Sequence, residues 1–198
     1  MGYKVVKSMI KVIIVNGRPG AGKTTFEDIC QAIMGPFCRQ RSTVDRVKDI
    51  AKAAGWNGEK TAEARKFLSD LKQLLVNFND LPFKDIKTSL RVFEDDLESY
   101  GLSKACAVLL VDSREPKEIQ RFKDELGAIT LLIRRPAAEQ LSTSNASDEG
   151  VFDYKYDYEI TNDGTINDLW IKATEFLDLI FEENYGIINI ESKRKCKE

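Results

Sequence analysis

An apolar run, a glycine-rich turn and an amphipathic segment follow one another near the start of the chain. The run, Ile10 to Val15, is typical of a strand buried on both faces. The turn over residues 17–24 reads G-R-P-G-A-G-K-T and fits the pattern G-x-x-x-x-G-K-[ST] at every position. From Lys23 the apolar residues recur at helical spacing until Gly35-Pro36. A strand, a turn and a helix in this order favour an α/β fold.

Each residue type in this Walker A turn has a physical role. Glycines allow backbone N–H groups to converge on phosphate oxygens, and the helix N-terminus adds its positive dipole. Lys23 supplies a point charge for the β- and γ-phosphates of ATP, and the Thr24 hydroxyl is a ligand for Mg²⁺. The candidate cofactor-binding residues are Gly17, Arg18, Pro19, Gly20, Ala21, Gly22, Lys23, Thr24 and Thr25. A glycine turn with a chance lysine is the alternative, and it leaves both flanking elements unexplained.

Strand and helix patterns alternate along the rest of the chain. Further strands are predicted at 37–43, 105–111, 128–133 and 158–161, with helices between them. Buried strands that alternate with helices predict a parallel sheet with helices on both faces, a three-layer α/β domain spanning residues 1–198. Residues 44–101 hold helical patterns that form an insertion, residues 136–150 read as a mobile loop, and residues 191–198 form a basic tail.

Two of the helical patterns predict which side chains are buried. The helix that follows residue 60 has an apolar stripe that includes Phe67, Leu74 and Phe78. The last helix is predicted to start at a capping box formed by Thr165 and Asp168, and its expected buried face includes Ile166 and Trp170. After Trp170, apolar residues of this helix continue to recur at helical spacing.

Composition excludes several classes of chemistry. The chain has no histidine, which rules out Ser-His-Asp and Cys-His catalysis and histidine metal sites. Its 30 Lys and Arg residues against 32 Asp and Glu residues give a net charge of −2, so no basic field favours a nucleic-acid partner. The four cysteines lack C-x-x-C spacing, which favours reduced thiols in a cytoplasmic protein. No stretch approaches the roughly 18 apolar residues that cross a bilayer, so no membrane partner is expected.

A carboxylate closes the apolar strand that precedes residue 113. Asp112 stands at the C-terminal end of that strand, where an aspartate orients Mg²⁺ or its waters in the Walker B role. The alternative is that Asp112 caps the following helix. Arg114 points toward the same edge, where a guanidinium clamps a phosphate.

The sequence also narrows the class of phosphate-binding protein. The N-K-x-D and D-x-x-G motifs of a GTPase switch are absent, and large ATPase motors need a longer chain. A small-metabolite kinase is favoured. The lack of histidine fits a phosphate acceptor, which is already anionic near neutral pH because its second pKa is about 6. An alcohol acceptor would instead use a carboxylate base, for which Asp45 or Asp70 is a candidate.

Several segments resemble phage-type deoxynucleoside monophosphate kinases, and animal-type phosphomevalonate kinases share the same scheme. The segments are the loop, Val111-Asp112-Ser113-Arg114, Glu118 to Phe122, Gly127 to Thr130, Ile133 to Pro136, and Ile160-Thr161-Asn162-Asp163-Gly164. The resemblance covers most of residues 10–180 and is specific in the loop, in Asp112-x-Arg114 and in residues 160–164. It implies a five-stranded parallel P-loop fold with sheet order 2-3-1-4-5, which puts the Asp112 strand beside the loop strand.

The resemblance also implies roles for individual residues. It implies transfer of the γ-phosphoryl group of ATP, with Mg²⁺ held by Thr24 and Asp112, to a small phosphorylated acceptor such as a (deoxy)nucleoside monophosphate. The implied acceptor-binding residues are Arg41, Lys48, Arg65 and Arg114. Lys48 and Arg65 belong to an insertion over about 44–101, and Arg41 and Arg114 lie on either side of it. The implied catalytic residues are Lys23, Arg114, Arg134 and Arg135, the last two entering a lid over about 135–150.

The sequence leaves the roles of the insertion and lid arginines open. Arg65 also fits a solvated helix face, and one of Arg134 and Arg135 also fits a surface ion pair. The lid has Asn145 where the family usually has histidine, and no arginine lies between Pro136 and Gly150. The acceptor identity, a homodimer, and a nucleotide-binding regulator that has lost its acceptor therefore all stay open.

Overall fold

The computed structural model describes residues 10–139 and 150–182. Its strands are β1 (Lys11–Asn16), β2 (Cys38–Ser42), β3 (Val108–Asp112), β4 (Ile129–Arg134) and β5 (Tyr158–Thr161). Its helices are α1 (Lys23–Met34), α2 (Asp45–Ala53), α3 (Ala62–Asn79), α4 (Leu81–Ser99), α5 (Pro116–Leu126), α6 (Pro136–Glu139) and α7 (Ile166–Glu182). Short 3₁₀ turns cover residues 35–37, 104–106 and 150–152.

The five strands form one parallel sheet in the order β2-β3-β1-β4-β5. This confirms the order 2-3-1-4-5 that the sequence resemblance implies. Val15 of β1 is in register with Asp112 of β3, and Asn16 is in register with Leu132 of β4. The C-terminal ends of the three central strands therefore meet at one edge, which is where ligands bind in open α/β sheets.

Helices cover both faces of the sheet, as predicted. Neighbouring residues of β1 point to opposite faces, so Ile13 packs on one side and Ile14 on the other. The Ile13 side is filled by α1 and α7, where Phe26 and Phe176 meet edge to face. The opposite side is filled mainly by α4 and α5, where Phe83 packs against Phe122. The result is the predicted three-layer α/β arrangement.

The segment after β4 differs from the predicted loop. Pro136–Glu139 forms one turn of helix, because proline suits the first helical turn and the two alanines after it are strong helix formers. The predicted lid residue Asn145 and the basic tail at 191–198 lie outside the described residues.

The burial expected for α7 is wrong at its first turns. Ile166 and Trp170 are exposed. A helix residue is buried only where another element faces it, and the packing of α7 against α1 and the sheet covers the later positions. The buried residues of α7 are Leu169, Ala173, Phe176, Leu177 and Ile180.

The stripe on α3 is only partly covered. Phe67, Leu74 and Phe78 are exposed, whereas Ala64 of the same helix is buried. The helix packs against α2 and α4 through a neighbouring face. In the described part of the chain, no helix is long and apolar enough to cross a membrane.

Candidate phosphate-binding loop and the adjoining cavity

The turn between β1 and α1 has a backbone that only glycine tolerates at key points. Gly22 has φ +95, and a Cβ there would overlap the side-chain amide nitrogen of Asn162. A Cβ on Gly17 would overlap the carbonyl oxygen of Ile133 in β4. The loop therefore lies closely against β4 and the segment after β5.

The Lys23 ammonium lies inside the loop. The side chain is 9% exposed, and Nζ donates to the carbonyl oxygens of Gly17 at 2.6 Å and Arg18 at 3.4 Å. Thr24 and Thr25 are exposed at the start of α1. A cation enclosed by a loop whose amides begin a helix is suited to a polyphosphate.

Asn16 fixes the first residue of the loop. Its Oδ1 accepts the backbone N–H of Gly17 at 2.7 Å, and its Nδ2 donates to the Tyr156 hydroxyl at 2.7 Å. That hydroxyl in turn donates to the Val151 carbonyl at 2.9 Å. Sequence reasoning missed Asn16 and Tyr156, although a polar residue that ends a buried strand was a signal for Asn16.

Asn162 fixes the far end of the loop. Its Nδ2 donates to the Ala21 carbonyl at 2.9 Å, and its backbone N–H donates to the Arg134 carbonyl at 2.6 Å. Asn162 therefore joins the loop to the end of β4. It lies in the 160–164 motif that carries the family resemblance, but sequence reasoning gave it no role.

Asp112 lies beside the loop at the end of β3. Its Oδ1 is buried and has no hydrogen-bond partner among the described residues. Thr24 is exposed at the neighbouring helix start. An unpartnered carboxylate oxygen and a hydroxyl are both oxygen ligands of the kind that Mg²⁺ takes, so these two residues suit the ion.

Glu27 is a buried carboxyl in the same region that sequence reasoning missed. It is 6% exposed, on α1 one helical turn after Lys23. Burial and the negative charge of Asp112 together raise its pKa to about 8, although the Lys23 ammonium opposes them. The four-residue spacing from Lys23 was the available signal, because it places both side chains on one helix face.

A cavity of about 260 Å³ opens on the other side of Asp112. It is bounded by the end of β2, the start of α2, α3 and the loop after β3. The structure brings three predicted acceptor residues to its wall: Lys48, Arg65 and Arg114. Lys48 Nζ is 4.0 Å from Asp45, whereas the Arg65 side chain has no ion pair or hydrogen bond within residues 10–139 and 150–182. The wall is therefore suited to an anion.

Lys72 is a fourth cation in this wall and is already paired. Its side chain is 12% exposed, and Nζ lies 3.0 Å from Glu115 and 3.1 Å from Glu118. The Ser113 hydroxyl donates to the same Glu118 carboxylate at 2.5 Å. These contacts tie α3 to the loop after β3 and hold the wall in place.

Arg41 lies outside the cavity lining. It is exposed, and its Nε donates to the Ser89 hydroxyl of α4 at 3.2 Å, while Nη1 donates to the Gln40 carbonyl at 3.1 Å. The structure does not bring it together with the other predicted acceptor residues.

The two predicted lid arginines differ in their surroundings. Arg134 donates to both oxygens of Glu139 at 2.8 Å and to Glu159 at 3.3 Å. These hydrogen bonds raise the pKa of Arg134 and lower the pKa of Glu139. Arg135 is exposed and has no ion pair within the described ranges.

Arg18 of the loop reaches the same cluster. Its Nη1 donates to the Glu139 carbonyl at 2.9 Å, and its guanidinium lies 5.3 Å from the Phe152 ring centre. The Arg134 guanidinium lies 5.1 Å from the same ring. The loop and the start of the predicted lid therefore share Phe152 and Glu139.

The strand order, the glycine loop between β1 and α1, and the aspartate ending β3 together define a P-loop fold. No protein-family model matches the chain, and a search of curated proteins found no match. The solved structures that the chain is similar to include a shikimate kinase from Aquifex aeolicus, at 13% identity and TM-score 0.46 over 89% of this chain and 99% of that one.

Two further solved structures have comparable scores. One is a thymidylate kinase from Ehrlichia chaffeensis, at 14% identity and TM-score 0.44 over 85% of this chain and 99% of that one. The other is a gluconokinase from Sinorhizobium meliloti, at 11% identity and TM-score 0.46 over 90% and 98%. The fold assignment for this chain comes from its own strand order and loop.

Proposed function

We propose that this protein transfers the γ-phosphoryl group of ATP, in the presence of Mg²⁺, to a small phosphorylated acceptor. One observation carries the proposal. The phosphate-binding loop lies on one side of Asp112, and a cavity lined by four cationic side chains, three of them predicted acceptor residues, opens on the other. A donor site and an acceptor site at one sheet edge are what phosphoryl transfer requires, because its catalysis consists mostly of positioning and charge stabilisation.

The loop is the donor side of the proposed site. Its amides and Lys23 would bind the β- and γ-phosphates, which requires Nζ to exchange the Gly17 carbonyl for phosphate oxygens. Thr24 and Asp112 would hold Mg²⁺, which neutralises phosphate charge when bound. The unpartnered Oδ1 of Asp112 supports this assignment.

The cavity is the acceptor side. Lys48, Arg65 and Arg114 would bind the phosphate of the acceptor and direct one of its oxygens at the γ-phosphorus. A new P–O bond then forms to the acceptor, the bond between the γ-phosphorus and the bridging oxygen breaks, and ADP leaves. No general base is needed, because a phosphate acceptor is already anionic at neutral pH.

The two predicted lid arginines differ in whether an ion pair already holds them. Arg134 would have to leave Glu139 and Glu159 before it could contact a transferring group. Arg135 has no such competing ion pair within the described residues. We therefore assign the stabilisation of the transferring phosphoryl group to Arg135.

A (deoxy)nucleoside monophosphate is the first acceptor to test, in line with the family that the sequence resembles. A small aliphatic phosphate such as phosphomevalonate is the second candidate. It is favoured by the cavity wall, whose apolar side chains are Val44 and Leu68, with no aromatic ring from the described residues to stack on a base.

The test is phosphotransfer from ATP across all common nucleoside monophosphates and phosphomevalonate. The proposal expects ATP consumption that depends on one acceptor class and is lost in Lys23→Ala. ATP turnover that no acceptor stimulates would contradict a kinase and favour a nucleotide-binding regulator. Near-normal transfer by Lys23→Ala would contradict the donor site itself.

A further inference from the structure

The exposed apolar stripe on α3 has the same residue spacing when it is read from either end of the helix. The stripe consists of Phe67, Leu71, Leu74 and Phe78, separated by 4, 3 and 4 residues. Three members are strongly exposed: Phe67 at 42%, Leu74 at 63% and Phe78 at 80%. The alternation of 4 and 3 residues is that of the a and d positions in a coiled-coil seam.

We propose that α3 is a homodimer interface, on which the α3 helix of a second copy packs antiparallel. A two-fold axis between residues 72 and 73 would set Phe67 against Phe78 of the second copy and Leu71 against Leu74 of the second copy. A closed dimer needs such a self-complementary patch, because both copies present the same surface. The proposal does not depend on the proposed function.

The exposed area supports a dimer of modest strength. With about 150–250 Å² for a whole large apolar side chain, the exposed fractions give roughly 280–460 Å² of apolar surface per copy. Homodimer interfaces are about 65% apolar, so the full contact would bury about 900–1,400 Å² over both copies. That is the lower end of the range for stable interfaces, and a dissociation constant in the micromolar range is expected.

The two sides of α3 would then be linked. Arg65 and Lys72 of the same helix line the cavity, while none of the stripe residues does. The Lys72 ion pairs hold the helix on the cavity side. A second copy on the stripe would hold it from the other side.

The test measures the dissociation constant of the full chain by sedimentation velocity at several concentrations. We expect a micromolar dimer for the wild type, and a constant raised at least about tenfold in Phe67→Lys and in Phe78→Glu, because each opposes a charge to an apolar ring. The matched control is Val92→Glu on α4, which also changes an exposed apolar residue, at 46% exposure. It should leave the constant unchanged within about twofold.

The double variant Phe67→Lys/Phe78→Glu tests the antiparallel register. In that register each lysine faces a glutamate of the second copy, so association should recover to within about fivefold of the wild type and weaken with salt. Circular dichroism spectra check that every variant stays folded. A wild type that is monomeric at about 100 µM would overturn the proposal. Equal dissociation constants for the wild type and Phe78→Glu would overturn it too. A double variant that associates no more tightly than the single variants would overturn the antiparallel arrangement.

Discussion

Replacing Glu27 with glutamine should change how the stability of the protein depends on pH. Burial raises the pKa of Glu27 from its usual 4.5 to about 8, so between these values the native state holds a proton that the unfolded state has lost. A native state that binds more protons loses stability as pH rises. This shift lowers the free energy of unfolding by at most about 5 kcal/mol. The loss is complete above pH 8 and absent below pH 4.5.

The assay is urea unfolding of the metal-free protein, with a chelator, at several pH values from 5 to 9. Glu27→Gln keeps the shape of the side chain and removes its ionisable group. The free energy of unfolding of this variant should therefore fall less as the pH rises than that of the wild type. The matched control, Asp178→Asn, removes an exposed carboxyl from α7 and should follow the wild type. A gap between wild type and Glu27→Gln that changes by less than about 1 kcal/mol from pH 5 to pH 9 would refute the reasoning.

Three further predictions concern the loop, the cavity and the lid. Gly22→Ala forces a side chain into a left-handed backbone and onto a neighbouring amide, so it should cost at least about 1–2 kcal/mol and lower Tm by several degrees; an unchanged Tm would contradict the loop geometry. Arg65→Gln should raise the acceptor KM about tenfold and leave the ATP KM unchanged, whereas the control Lys66→Gln, on an exposed ion pair of the same helix, should change neither. Arg135→Gln should lower kcat at least about tenfold and Arg134→Gln less than about threefold, and the reverse order would reassign the lid role.

The sequence predicted the fold because the strands of a parallel sheet are buried on both faces. Val108–Asp112 is an uninterrupted apolar run closed by a carboxylate, and it is one of the central strands of the sheet. The loop was equally readable, because each of its residue types follows from phosphate chemistry. The strand order came from the family resemblance, since apolar runs alone do not say which strands are neighbours.

Side-chain direction could not be predicted in the same way. Arg41 ends β2 as expected, but its guanidinium contacts α4 and not the cavity. Arg134 is the last residue of β4, but its guanidinium is paired with Glu139 and Glu159. Periodicity identified the stripe on α3 correctly as apolar, but only the packing of α2 and α4 decides which apolar residues of a helix are covered.

The contacts that shape the loop were beyond sequence reasoning because they span most of the chain. Asn162 lies 141 residues from the Ala21 carbonyl that it binds, and Tyr156 lies 140 residues from Asn16. Both come from the segment around β5, so the loop conformation is not set by its glycines alone.

A second set of contacts connects the loop to the end of β4 and to the helical turn after it. Asn162 binds the end of β4 as well as the loop, and Glu139 binds both Arg18 of the loop and Arg134 at the start of the lid. Arg134 binds the Glu139 carboxylate and Arg18 binds its main-chain carbonyl, so we expect a displacement of Glu139 to alter the contacts of the loop and of the end of β4 together.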